Sequence, residues 1–273
     1  MMKKYFAFVL ILSVLTASCS QKTKRSSTND KVSDNDSVVT VEENYLGQDK
    51  MEEINTMLDD LELVRSLRWE KINDDGRSFT EVTAYINDDG VPVKITEEFS
   101  QGNFNDQGKR HFYLEDNKLV AFEENKDAWL DSNTFVYEET QTFYNENEPV
   151  ATRKRTANSV EEIESSSWKT VRPESHTLTK VNKILSGSDE YETHFISIIE
   201  ANSGLFLLLG EPKDKNRYQT AVRVDEENEF IKDLIANYED YKYRPIEIQF
   251  VIEGGNGQPQ FQVLTAAKWK DQE

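Results

Sequence analysis

The sequence predicts a β-rich α+β protein: an antiparallel hairpin sheet with a packed N-terminal helix, followed by a small five-stranded barrel carrying one helix. Three observations predict it. Between Phe79 and Arg155, apolar and polar residues alternate with period two and break at acidic or Asn-rich turns. Just upstream, from Met51 to Val64, apolar residues Met51, Ile54, Met57, Leu58, Leu61, Leu63 and Val64 read as one amphipathic helix, with acids largely between them. Beyond Glu190 the patterns run strand, strand, strand, helix, strand, strand.

The chain opens with Met1-Met2-Lys3-Lys4, an apolar run over residues 5–15, and then Thr16-Ala17-Ser18-Cys19. A positive head, an apolar stretch and a small-residue exit form a secretory signal. Residues 5–18 would reach roughly 21 Å as a helix, short of the ~30 Å hydrocarbon slab, so a cleaved leader is favoured over a permanent span. Leu15-Thr16-Ala17-Ser18-Cys19 resembles bacterial lipoprotein signals, in which Leu and small residues precede an invariant Cys. Here Leu stands one place further from the Cys than in the commonest form, and Ser replaces the usual Gly or Ala. The Ser18-Cys19-Ser20 ending looks like the looser signals of Bacteroidetes-type bacteria. The resemblance implies cleavage before Cys19, a thioether-linked diacylglycerol on its sulfur, and acylation (a palmitate-type chain) of the new amino terminus. Several acyl chains, at about 0.8 kcal/mol per buried CH2, anchor a protein stably. Ser20 in place of Asp, and the basic stretch Lys22-Thr23-Lys24-Arg25, imply the periplasmic face of the outer membrane.

The leader is thus residues 1–18, and residues 19–46 are the lipidated Cys19 with a flexible tether of Ser, Thr, Asn, Asp and Lys. A coil of that length has an r.m.s. reach of roughly 28 Å, enough to lift a folded part clear of the headgroups. Residues 47–158 form the expected antiparallel β domain with its N-terminal helix. Its hairpins turn at Asp88-Asp89-Gly90, at Glu115-Asp116-Asn117-Lys118 and at Asn145-Glu146-Asn147-Glu148. Asn87-Asp88-Asp89-Gly90 clusters oxygens but lacks the ligand spacing and distal Glu of a calcium loop, so it reads as turn chemistry. A Ser-rich link with Pro173 spans residues 159–176, and residues 177–273 hold the barrel.

In that last region strands start at His194, Leu205 and Thr220, a helix starts at Glu226, and strands follow at Ile246 and Phe261. This is the element order of an OB-type barrel; a plain α+β sheet with one helix is the alternative. The arrangement resembles bacterial envelope lipoproteins carrying a C-terminal OB-like domain after an antiparallel β domain. One such family, the copper- and stress-associated lipoproteins, has a CxxC in its first domain. This chain has the single cysteine Cys19, so that family's metal-sensing and redox roles do not carry over.

Acids outnumber bases 51 to 32, a net charge of −19, and the leader contributes only the positive Lys3 and Lys4. Such a surface repels phosphate backbones, which argues against nucleic acid as a partner. His111, His176 and His194 stand far apart and match no ligand spacing. No GxSxG, GxxxxGK[ST] or GxGxxG motif occurs, and Gly254-Gly255-Asn256-Gly257 reads as a hairpin turn. Adjacent acids such as Glu97 and Glu98 point to opposite faces of a strand, poor geometry for paired catalysis. No catalytic, metal or cofactor residue is therefore assigned. The expected function is a membrane-tethered, non-enzymatic envelope module that binds a protein or a glycan, with Trp129 and Trp168, both in polar settings, as contact residues. Two other classes compete. An envelope hydrolase requires His111 or His194 in a pocket beside a buried acid, and an acidic inhibitor of a basic enzyme requires one contiguous acidic face.

Overall fold

A computed structural model describes residues 45–270, apart from 74–75, 103–106, 130–133, 213–216 and 256. The leader, the tether and the Cys19 assignment lie outside the described residues.

A helix, α1 (Leu46–Met57), leads through a 3-10 turn into β1 (Glu62–Arg65) and β2 (Trp69–Asn73). Three antiparallel hairpins follow: β3 (Gly76–Ile86) with β4 (Pro92–Ser100), β5 (Gln107–Glu115) with β6 (Lys118–Trp129), and β7 (Phe135–Asn145) with β8 (Glu148–Ala157). A short helix, α2 (Val160–Ile163), and strand β9 (Lys169–Val171) precede α3 (Thr179–Ser186). The meander β10 (His194–Ala201), β11 (Gly204–Gly210) and β12 (Gln219–Val224) comes next, then α4 (Glu229–Ala236) and α5 (Tyr238–Tyr241). The chain closes on the hairpin β13 (Ile246–Gly255) and β14 (Gln258–Trp269). The main path of the sheet runs β10-β11-β12-β2-β3-β4-β5-β6-β7-β8-β9, so sequential hairpins lie side by side.

Local chemistry explains the hairpins. Asp116 and Asn117 (φ 50° and 61°) and Glu146 and Asn147 (φ 50° and 70°) occupy the left-handed region, the geometry that matches strand twist in two-residue turns. Asn147 Oδ1 also accepts from the Leu119 amide at 3.0 Å, tying one turn to the next hairpin. At the calcium-like segment, Asn87 Oδ1 accepts from the amides of Asp89 (3.1 Å) and Val91 (2.9 Å) and so serves the turn itself.

The period-two alternation gives the sheet two apolar surfaces. On one, Met51 and Ile54 of α1 pack on Tyr113, Ala121, Phe143 and Ala151. Gly47 lets α1 sit this close, since a Cβ there would collide with the Val120 carbonyl oxygen. The opposite surface contributes Val82, Ala84, Ile95, Phe112 and Phe122 to a larger core. That core continues through Trp69, Tyr191, Phe195 and Leu207 to Ile231, Leu234 and Ile246. Burying side chains of this size stabilises by about 1.5–3 kcal/mol each.

Two expectations are corrected. The N-terminal helix ends at Met57, because Leu63 and Val64 leave the helical pattern to pair with Tyr85 and Ala84 of β3. The OB-like five-stranded barrel is not formed: the last five strands belong to a mixed, largely antiparallel sheet that stays open. β12 meets β14 in parallel at one residue pair, Arg223 with Val263, and β12 also pairs with β2 through Gln219 and Glu70. Between β10 and the chain entering β13 there is an isolated bridge, His194 with Pro245, and no ladder among the described residues. Bulges at Gln249–Phe250 and Glu253–Gly255 shift the β13–β14 register. Element order is common to a closed barrel and an open sheet; closure requires continuous long-range ladders, and these are absent here among the described residues.

Candidate functional site

The hairpin register sorts the side chains of β3–β8 into cross-strand rows. On the surface that carries α1, the row beneath the helix contains Lys94, Tyr113, Ala121, Phe143 and Ala151. Two residues further along the strands come Thr96, His111, Glu123, Gln141 and Arg153. Beyond them lie Glu81, Glu98, Lys109, Asn125, Glu139 and Arg155. The helix covers one end of this surface, and α2 folds against β7 and β8 at the far side. Between them lies an open trough of about 460 Å³, lined among others by Phe79, Gln107, Lys109, Asn125, Asp127, Tyr137, Val160 and Ile163.

The trough's lining is mostly apolar with polar groups interspersed, and further aromatics stand beside it on β6 and β7. Gln107 Nε2 donates to Asp127 at 2.8 Å, Lys109 pairs with Glu98 at 2.5 Å, and Arg155 pairs with Glu139. Asn125 Nδ2 donates to Glu123 at 2.9 Å, whereas its buried Oδ1 has no hydrogen-bond partner among the described residues. An unmet buried acceptor costs about 1–3 kcal/mol. Burial and the neighbouring Glu98 push the Glu81 carboxyl up, against the pull of Arg68. Beside the trough, Trp129 packs edge-on to Phe135 (5.5 Å between ring centres), and Phe135 packs edge-on to Tyr137 (5.4 Å). Trp129 remains 44% exposed. A second depression of about 370 Å³ lies between the end of α1 and the turns near Asp89 and Asp116, lined by residues of the helix, the strand ends and the turns.

The two tryptophans singled out from the sequence have different surroundings. Trp129 opens to solvent beside the trough. Trp168 is half-buried, with the guanidinium groups of Arg153 and Arg155 lying 4.7 and 4.5 Å from its rings. Both of these cation–π contacts are made within its own chain. Trp168→Ala is expected to lower stability by about 1–2 kcal/mol through loss of both cation–π contacts, measured as a shift in urea midpoint.

The three histidines occupy separate places. His111 lies on the trough surface, its Nδ1 2.9 Å from Thr96 Oγ1; burial, and then Lys94 and Lys109, push its pKa down to about 4. His176 covers the opposite surface, stacked on Phe122 at 3.6 Å and 3.3 Å from Thr142 Oγ1, and burial lowers its pKa too. His194 opens β10, 3.9 Å from Glu192. The buried acid Glu97 also faces away from His111, bonded to Thr80 (2.9 Å), Arg110 (3.2 Å) and Lys180 (2.6 Å). Among the described residues, no group of three His, Cys, Asp or Glu side chains is placed to hold a metal ion. Acids and bases interleave along the strands, as in Glu97–Arg110–Glu124–Lys126–Glu138, instead of gathering on one acidic face.

Sequence reasoning missed Phe135, Tyr137, Asn125 and Gln107. Phe135 and Tyr137 fall in a recognisable strand pattern whereas Gln107 and Asn125 do not, and the β5–β6 and β6–β7 registers, with Lys109 opposite Asn125, Trp129 opposite Phe135 and Asp127 opposite Tyr137, bring them together. No protein-family model, no curated protein and no solved structure matches this chain. No helix among the described residues is long and apolar enough to cross a membrane.

Proposed function

We propose that this chain is an envelope lipoprotein, anchored through acyl chains on Cys19, that acts without catalysis as a binding module for an envelope component. The leader and the Leu15-Thr16-Ala17-Ser18-Cys19 sequence support the anchor. The trough carries the binding part of the reading. It is an open hollow of about 460 Å³, and the exposed Trp129 stands two residues past its lining residue Asp127 on β6, held edge-on by Phe135. Concave, partly apolar sites with a few convergent polar groups are where ligands bind. The periplasmic face of the outer membrane is the proposed location, following from Ser20 and the basic residues after it.

Two measurements test this. Intact mass of the native protein is expected to show a chain starting at Cys19 with added diacylglyceryl and acyl groups, and Cys19→Ser is expected to move the protein to the soluble fraction. Hydrogen exchange of the native protein mixed with envelope fragments is expected to slow at β5, at β6 and at the start of β7. Slowing confined to other strands, or an unacylated mature terminus, would falsify the respective half of the proposal.

A further inference from the structure

Resting on the reading that the trough is the binding element, we propose that its ligand is a neutral oligosaccharide. Two of the trough's carboxylates are already paired with cations within the protein, and Asp127 receives the Gln107 amide. Glu98 is held by Lys109 at 2.5 Å and Glu139 by Arg155. An anionic peptide would have to break one of these pairs in order to reach Lys109 or Arg155. An uncharged ligand leaves them standing.

What the trough offers instead is planar hydrogen-bonding chemistry: the exposed Gln107 amide and the Asp127 carboxylate. Hydroxyl groups both donate and accept, so a polyhydroxylated chain can engage amide and carboxylate together without carrying charge. The neighbouring aromatics supply the complement. A sugar ring has an apolar C–H face and a polar edge, and it suits a flat aromatic beside polar groups. Edge-on packing against Phe135 at 68° and 87° holds Trp129 and Tyr137 in place before anything binds, which reduces the ordering cost of association.

The test uses the acylated full-length mature protein in detergent, mixed with envelope fragments from its host, and reads hydrogen exchange at the trough strands. Fragments oxidised by periodate, which cleaves vicinal diols, are expected to lose the ability to protect the trough. Fragments digested with proteinase K, the protease then inactivated, are expected to keep it. Trp129→Ala is expected to raise the fragment concentration for half protection by about tenfold or more, with an unchanged melting temperature. Tyr238→Ala, an exposed aromatic on α5, should bind as the parent does. Protection that survives periodate but disappears with proteinase K assigns a protein occupant and overturns the oligosaccharide while leaving the trough as the binding element. A Trp129→Ala protein that binds like the parent overturns it as well. If no fragment protects the trough, both this inference and the reading beneath it fail.

Discussion

Arg110→Ala is expected to cost about 3–5 kcal/mol of stability, among the largest effects of any single polar substitution in this fold. Arg110 lies on the surface opposite the trough. Its guanidinium bridges Glu97 at 3.2 Å and Glu124 at 2.7 Å and covers the Phe99 ring at 4.1 Å. The Glu97 side chain is 1% exposed, so its charge cannot recover hydration when a partner is removed. After the substitution Glu97 keeps Thr80 and Lys180, and Glu124 keeps Lys126. Lys180→Ala should cost far less, about 1 kcal/mol, because that side chain is 44% exposed and solvent screens its pairing. The double change Glu97→Gln with Arg110→Met should recover most of the loss, since it removes the charge together with its partner. Urea unfolding at constant slope measures all three. An Arg110→Ala protein no weaker than Lys180→Ala would show that the buried pair is not the determinant.

The same pair shows what a strand sequence reveals and what it conceals. Alternation places the neighbours Glu97 and Glu98 on opposite surfaces, and they are found there, one buried against Arg110 and the other beside Lys109 in the trough. Which of the two is buried depends on Lys180 and Thr80, 83 and 17 residues away, and no local pattern carries that information. Hairpin turns were legible for the opposite reason. Asp116-Asn117 and Glu146-Asn147 are local devices, and the left-handed backbone they adopt is a property of the turn. Helix α3 had a local signal that went unread: Val181, Ile184 and Leu185 at helical spacing, closed by Gly187 at φ 58°. The barrel failed because strand order says nothing about how many residues pair along a seam. The trough was half legible. Trp129 stood out as an aromatic in polar company, whereas Tyr137 and Asn125 become neighbours only through cross-strand register. Trp168 stood out for the same reason, and the contacts of Arg153 and Arg155, which reach its ring from β8, had no local signal.

His111 should make this fold acid-sensitive in a defined window. Burial, reinforced by Lys94 and Lys109, lowers its pKa from 6.5 to about 4, so the folded state favours neutral imidazole. The unfolded chain binds a proton as pH falls through 6.5 while the folded chain does not. Between pH 6.5 and about 4 the unfolded state therefore holds more protons, and stability declines with falling pH. Below the folded pKa both states are protonated and the decline from this group ends. Its full extent is roughly 3 kcal/mol, the free-energy equivalent of the shift. His111→Gln removes the titration and retains a side chain able to bond Thr96, so its stability curve should stay nearly flat where the parent's falls. Carboxylates paired in both proteins, Glu124 among them, titrate alike in parent and variant and cancel in the difference. The measurement is urea midpoint against pH for the two proteins. Parallel curves between pH 7 and 4 would mean that the imidazole is protonated as readily in the fold as in the unfolded chain, and that Thr96 and the surrounding lysines do not hold it neutral.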